Sequence, residues 1–159
     1  MPTYTLVHVV ISLVGIGTGL VVLAGLLTAK RLNGWTALFL ASTVATNVTG
    51  FGFPAARVLP SHVVAVISLV LLALAIYARY ARGMAGRWRT VYVVGAVLSL
   101  YLNVFVGIVQ AFLRVPALRA AAPTQSELPF QLTQLMALVI FISLSIAAVS
   151  RFRVIDYSR

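Results

Sequence analysis

Five apolar stretches, separated by short polar or charged segments, make up the hydrophobic pattern of this chain. They cover residues 6–29, 35–53, 61–78, 92–113 and 130–150. Each is long enough to cross a bilayer as a helix, which takes roughly 17 to 25 residues. Since only helices and closed barrels satisfy their backbone groups in lipid, and no short alternating segments are present, we expect helices. The pattern predicts an all-α fold, a single domain over residues 1–159 that forms a five-helix transmembrane bundle.

The fourth apolar stretch differs from the others because small and polar residues recur along it every three or four positions. Such spacing places Asn103 and Gln110 on one face of a helix together with the small residues. In lipid, small residues allow two backbones to approach closely, and a buried amide needs a protein partner. We therefore expect this helix to be central, with the first and second stretches packed closely on it and the third and fifth more exposed to lipid. The residues predicted to pack these helices together are Gly15, Gly19, Gly95, Ser99 and Gly107.

The composition excludes several classes of protein. The chain is 62% hydrophobic and 9% charged, and its mean hydropathy is +1.07, values far outside the range of soluble domains. With no cysteine, disulfides, thiolate metal sites and thiol catalysis are excluded. The net charge of +10 does not indicate nucleic-acid binding, because the basic residues sit at the ends of the apolar stretches, where they anchor to lipid headgroups.

The basic residues also predict how the chain is threaded. If the five stretches alternate in direction, nine of the twelve Lys and Arg residues fall at one end of the bundle, here called the basic end, and three at the opposite end. The positive-inside rule then places the basic end in the cytoplasm, with the N-terminus outside and the C-terminus inside. The nine are Lys30, Arg31, Arg79, Arg82, Arg87, Arg89, Arg151, Arg153 and Arg159, and the three are Arg57, Arg114 and Arg119.

Polar side chains inside the predicted spans concentrate in the outer half, which favours a site for a small hydrophobic ligand such as a quinone or lipid. Amides without a charged partner can orient a carbonyl or hydroxyl group of such a ligand. The function expected is a non-catalytic membrane protein that binds this ligand or serves as an accessory subunit of a membrane complex. The predicted ligand pocket consists of Asn47, Thr49, Asn103, Gln110, Gln131 and Gln134.

Three alternatives stay open. His8 and His62 lie at the outer ends of two spans and could supply both axial nitrogens of haem b in an electron-transfer protein, or two ligands of a metal ion. A small channel or carrier is a further alternative, although no Asp, Glu, Lys or Arg lies inside a predicted stretch to carry protons or cations. The same polar residues can also serve packing alone, through hydrogen bonds between helices.

Three segments resemble small bacterial inner-membrane proteins of no assigned function. These segments are Leu26–Leu40, Asn47–Pro54 and Ala122–Phe130. The resemblance implies a multi-pass protein of the bacterial cytoplasmic membrane and brings no site residue with it. The partners expected are the lipid bilayer and either another membrane protein or a second copy of this chain.

Overall fold

The computed structural model describes residues 3–53 and 60–153, and every regular element in these two ranges is helical. The all-α prediction is therefore confirmed. The elements, in chain order, are α1 (Thr3–Leu27), α2 (Asn33–Gly50), α3 (Pro60–Ile76), a π-helical turn (Tyr77–Ala81), α4 (Arg87–Arg114), α5 (Pro116–Ala121) and α6 (Leu128–Arg151).

Four helices in the described ranges are long and apolar enough to cross a membrane. They are α1, α3 together with its π-helical turn, α4 and α6. The chain therefore has the architecture of a helical membrane protein. The second predicted stretch corresponds to α2, which is 18 residues long and is not among these four helices.

The fourth predicted stretch, now α4, contacts each of the other helices. Helix α1 packs on both α2 and α4, as expected, and α3 packs on α4 and α2. The expected close packing of α2 on α4 is wrong, because α1 and α3 each pack on both of them and keep the two apart. Helix α6 is the least buried of the four long apolar helices, and leucine, isoleucine and valine cover its outward side. In water such a surface would aggregate, but in a bilayer it faces acyl chains.

The connection between α1 and α2 ends before the residues whose types favour a turn. An Asn-Gly pair is typical of turns, but Asn33 and Gly34 belong to the first turn of α2. Helix α1 instead closes when the Lys30 N–H donates to the Gly25 carbonyl at 2.8 Å. Leu32 has a φ of 39°, an uncommon value for a non-glycine residue. Its side chain packs against Gly25, and this contact favours the conformation.

The segment over residues 116–129, between the fourth and fifth apolar stretches, is ordered by α5 and by one carboxylate. Glu127 accepts hydrogen bonds from the backbone N–H and hydroxyl of Thr124 and from the backbone N–H of Ser126. Desolvation alone would raise the pKa of Glu127, but these bonds to the ionised form hold the pKa below its ordinary value. Gln125 ties the loop to α4 by donating to the Val109 carbonyl at 2.9 Å. The carboxylate thus orders the loop in its charged form.

Two glycines lie at close contacts between helices. A Cβ atom at Gly19 would lie 2.5 Å from Leu100 Cδ1 and 2.8 Å from the Phe39 ring. A Cβ at Gly95 would lie 3.1 Å from a backbone carbonyl of α3 and 3.2 Å from Ala75 Cβ. All four distances are shorter than a Cβ atom normally tolerates. Helices α1 and α3 therefore approach α4 as closely as glycine permits.

The polar and small residues of α4 do not all face the same neighbour. Gly95 lies against α3, Asn103 points at Gly15 of α1, and Gly107 lies 3.5 Å from Ile16 of α1. Four residues turn a helix through roughly 400°, so each step of four advances the face by about 40°. Over the twelve residues from Gly95 to Gly107 the face therefore rotates by about 120° and passes from α3 to α1.

We predict that Gly19→Leu destabilises the bundle, because the new side chain would collide with Leu100 and Phe39. A loss of at least 1 to 3 kcal/mol in the free energy of unfolding is expected from overpacking of this kind. Gly17→Leu is the matched control, since nothing lies within 4 Å of a Cβ at that position. Unfolding by sodium dodecyl sulfate in mixed micelles measures both variants. Equal stability of the two would contradict the assignment of Gly19 as a helix contact.

Candidate functional site

Polar side chains from two helices converge on a glycine of a third at the centre of the bundle. Asn103 Nδ2 of α4 lies 3.0 Å from the position that a Cβ of Gly15 would occupy, and Thr43 Oγ1 and Ser42 Oγ of α2 lie 3.2 and 3.4 Å from the same point. Ser99 precedes Asn103 by one helical turn and is fully buried. We call these five residues, Gly15, Ser42, Thr43, Ser99 and Asn103, the central junction.

Most of the polar atoms of the central junction are not paired within the described residues. Ser42 is the exception, because its hydroxyl donates to the Leu38 carbonyl at 2.7 Å. Thr43 Oγ1, Ser99 Oγ and Asn103 Nδ2 are buried and have no hydrogen-bond partner there. An unpaired buried polar group costs about 1 to 3 kcal/mol, so three of them close together favour the binding of further polar atoms.

Asn47 extends the polar region from the central junction towards α3. Its side-chain amide donates to the Thr43 carbonyl at 2.7 Å and to Ser68 Oγ at 3.1 Å. The second bond links α2 to α3. Thr46, which lies between Thr43 and Asn47 in the sequence, is half-buried, and its hydroxyl oxygen also has no hydrogen-bond partner in the described residues. The predicted residue Asn47 thus adjoins the central junction but is occupied in joining two helices.

The three glutamines of the predicted pocket lie elsewhere. Gln134 donates to the Phe105 carbonyl at 3.2 Å, which joins α6 to α4. Gln110 is exposed and accepts a hydrogen bond of 3.3 Å from Arg114 Nε. Gln131 donates to a backbone carbonyl of the connection before α6. The sequence indicated their depth in the bundle, but their positions around it depend on how the helices pack.

The two histidines contact the C-terminal end of α2. His8 Nδ1 lies 2.8 Å from Thr49 Oγ1, and its ring meets Phe53 edge-on with centroids 5.0 Å apart. His62 stacks on Phe51 with centroids 5.4 Å apart. Thr49, which was predicted to line the ligand pocket, therefore forms a hydrogen bond with His8. Across residues 3–53 and 60–153 no three metal-ligating side chains come together, and the haem b hypothesis for these histidines stays a prediction.

A buried arginine at the basic end was not anticipated from the sequence, which placed it in the loop after the third stretch. Arg79 lies in the π-helical turn that continues α3, and only 7% of its surface is exposed. Its guanidinium donates to Asn33 Oδ1 at 2.7 Å and to the Arg31 carbonyl at 3.2 Å. It also lies over the Tyr92 ring, 5.0 Å from the centroid.

Arg79 is buried because each part of its side chain has a suitable neighbour. A guanidinium is planar and weakly hydrated, so carbonyl oxygens and an aromatic face can replace much of its water. These contacts connect the α1–α2 turn, the end of α3 and the start of α4. A positive residue just after an apolar stretch ordinarily indicates a headgroup anchor, and only the tertiary contacts show that Arg79 points inward.

Comparison with known proteins adds no constraint on this site. No protein-family model matches the chain, and neither a curated protein nor a solved structure shows significant similarity to it.

We predict that Arg79→Gln lowers the free energy of unfolding by about 2 to 3 kcal/mol, because it removes charge-assisted hydrogen bonds and leaves the Asn33 side chain unpaired. Arg79→Lys should not restore stability, since a lysine cannot form the fork of contacts or cover the Tyr92 ring in the same way. Arg151→Gln, at an exposed arginine of the same end, is the control and should behave as wild type. Full stability of the lysine variant would mean that charge alone matters at residue 79.

Proposed function

We propose that this chain is a non-catalytic integral membrane protein that binds a small amphipathic molecule, of the quinone or lipid class, at the central junction. The observation that supports this proposal is the set of three buried and unpaired polar atoms contributed by Thr43, Ser99 and Asn103. In hydrocarbon no bulk water is at hand to satisfy such atoms, so a ligand that supplies hydrogen-bonding oxygen atoms is stabilised there.

The chemistry of the three groups indicates what the ligand carries. The Asn103 amide nitrogen is a donor, and the hydroxyls of Thr43 and Ser99 can donate or accept. None of the residues of the central junction is charged, so a neutral ligand suits it better than an ion. A carbonyl or hydroxyl oxygen attached to an apolar body matches both the donors and the surrounding membrane.

Helices α2 and α4, which carry the polar residues of the central junction, lie diagonally across the bundle. Each packs on both α1 and α3, whereas α2 and α4 touch each other only slightly. Ser42 and Asn103 each retain 8% of their surface exposed. These two residues mark the part of the central junction that we expect a lipid-soluble molecule to reach first.

We further propose that α2 is a fifth transmembrane helix, with the N-terminus outside and the basic end in the cytoplasm of a bacterial cell. At 1.5 Å per residue its 18 residues extend about 27 Å, close to the thickness of a hydrocarbon core. Its low apolarity is explained by burial, since Thr36, Ser42 and Thr43 all face the interior of the bundle.

We predict that Asn103→Leu and Thr43→Val each reduce ligand binding at least tenfold and leave the free energy of unfolding unchanged or slightly higher, because each removes an unpaired polar group. The control is Thr18→Val, at a buried threonine whose hydroxyl donates to the Val14 carbonyl of its own helix. Binding is measured with decylubiquinone as the probe, and mass spectrometry identifies molecules that co-purify with each variant.

Other outcomes of this experiment would contradict the proposal. Unchanged quinone binding and unchanged co-purifying molecules in Asn103→Leu would show that the central junction serves packing alone. A Soret band that is lost in His8→Ala and His62→Ala would favour the haem b protein instead. A stoichiometric protein that co-purifies while no small molecule is found would favour the accessory subunit.

The threading is tested by cysteine labelling, for which the chain is suited because it contains no cysteine. We predict that Ser61→Cys and Ser126→Cys react with a membrane-impermeant maleimide in intact spheroplasts. Thr28→Cys and Ala85→Cys should react only after permeabilisation. All four positions are exposed in the structure. Labelling of Thr28→Cys and Ser61→Cys from the same side would show that α2 does not cross the membrane.

A further inference from the structure

A groove runs along the surface between α3 and α4 in the half of the bundle nearer the basic end. Its volume is about 290 Å³. It borders the point where the two helices touch, since a Cβ at Gly95 would lie 3.1 Å from the Leu71 carbonyl oxygen of α3. It is lined by Leu71, Leu74, Thr90, Val91, Val94 and Gly95.

The residues of α4 that line the groove lie on the same helical face as an arginine. Thr90, Val91, Val94 and Gly95 follow Arg87 by three, four, seven and eight residues, which is the spacing of one face of a helix. Arg87 is exposed in the first turn of α4. The apolar groove therefore leads directly to a positive charge at the basic end.

A second exposed arginine lies in the turn that joins the two walls of the groove. Arg82 follows α3 and its π-helical turn, and its guanidinium lies 5.4 Å from the centroid of the Trp88 ring. Neither arginine is paired with a carboxylate in the described residues. Of the two acidic residues in the chain, Glu127 orders the loop at the opposite end and Asp156 lies outside the described residues.

We infer that this groove binds an anionic phospholipid, with one acyl chain between α3 and α4 and the phosphate against Arg82 and Arg87. The apolar lining matches a hydrocarbon chain, and the arginines at its end match a phosphate. Basic pockets between transmembrane helices on the cytoplasmic side are suited to anionic headgroups for the same electrostatic reason. The site is separate from the central junction, which carries no charge.

The test is a native mass spectrometry titration of the full chain in mild detergent with phosphatidylglycerol, or with phosphatidylcholine of identical acyl chains. We expect the first phosphatidylglycerol to bind at least tenfold more tightly than phosphatidylcholine. The double variant Arg82→Gln/Arg87→Gln should weaken phosphatidylglycerol binding by about 30-fold and abolish the preference, at roughly 1 kcal/mol for each charge removed. Its control is Arg114→Gln/Arg119→Gln, two exposed arginines at the opposite end.

The groove itself is tested by filling it. Val94→Phe and Leu74→Phe each place a ring in the groove from one of its two walls and should weaken the binding of both lipids at least fivefold. The control is Val139→Phe, on the lipid-facing side of α6. Thermal unfolding verifies that each variant is folded. Because the two groove variants lie on different helices, the test still holds if one of them fails to fold.

Several results would overturn the inference. Equal affinity for the two lipids would show that charge does not contribute to binding. Equal weakening by Arg114→Gln/Arg119→Gln would show that the lipid is not held at the basic end. Unchanged binding in both folded groove variants would show that only the headgroup is held. Displacement of phosphatidylglycerol by millimolar inorganic phosphate would show an anion site without an acyl-chain site.

Discussion

The close approach of α1 and α3 to α4 is the contact on which the rest of this structure depends. In a bilayer the hydrophobic effect does not drive helices together, so association relies on contact between well-fitted surfaces. Gly19 and Gly95 allow that contact on two sides of α4. The same approach brings Gly15 near Asn103, and Gly95 also borders the groove between α3 and α4. The residues that pack the helices are therefore neighbours of both candidate binding sites.

The two ends of the bundle are held by opposite charges used in different ways. At the basic end the Arg79 guanidinium is buried among carbonyl, amide and aromatic partners and connects three parts of the chain. At the opposite end the Glu127 carboxylate accepts hydrogen bonds from two residues just before it and orders one loop. An arginine reaches distant partners because its side chain is long, whereas a glutamate in a turn bonds to its own neighbourhood.

The two candidate binding sites differ in the chemistry that they offer. The central junction is neutral, lies deep in the bundle and presents unpaired polar atoms, which suits the neutral ligand proposed for it. The groove between α3 and α4 is apolar and leads to exposed arginines, which suits the anionic lipid proposed for it. A ligand of one site is therefore unsuited to the other, and the two can be examined independently.

The sequence by itself determined the helical membrane class, because a composition this apolar cannot form a soluble domain and lipid leaves few other ways to satisfy the backbone. It also indicated that Asn103 faces other helices. It could not bring Asn103 together with Thr43 and Gly15, because periodicity reports the depth and face of a residue on its own helix and not the neighbour opposite. For the same reason it grouped Gln110 and Gln131 with Asn103, although both are exposed elsewhere. The burial of Arg79 was likewise decided by tertiary structure alone, since its partners come from segments far away in the chain.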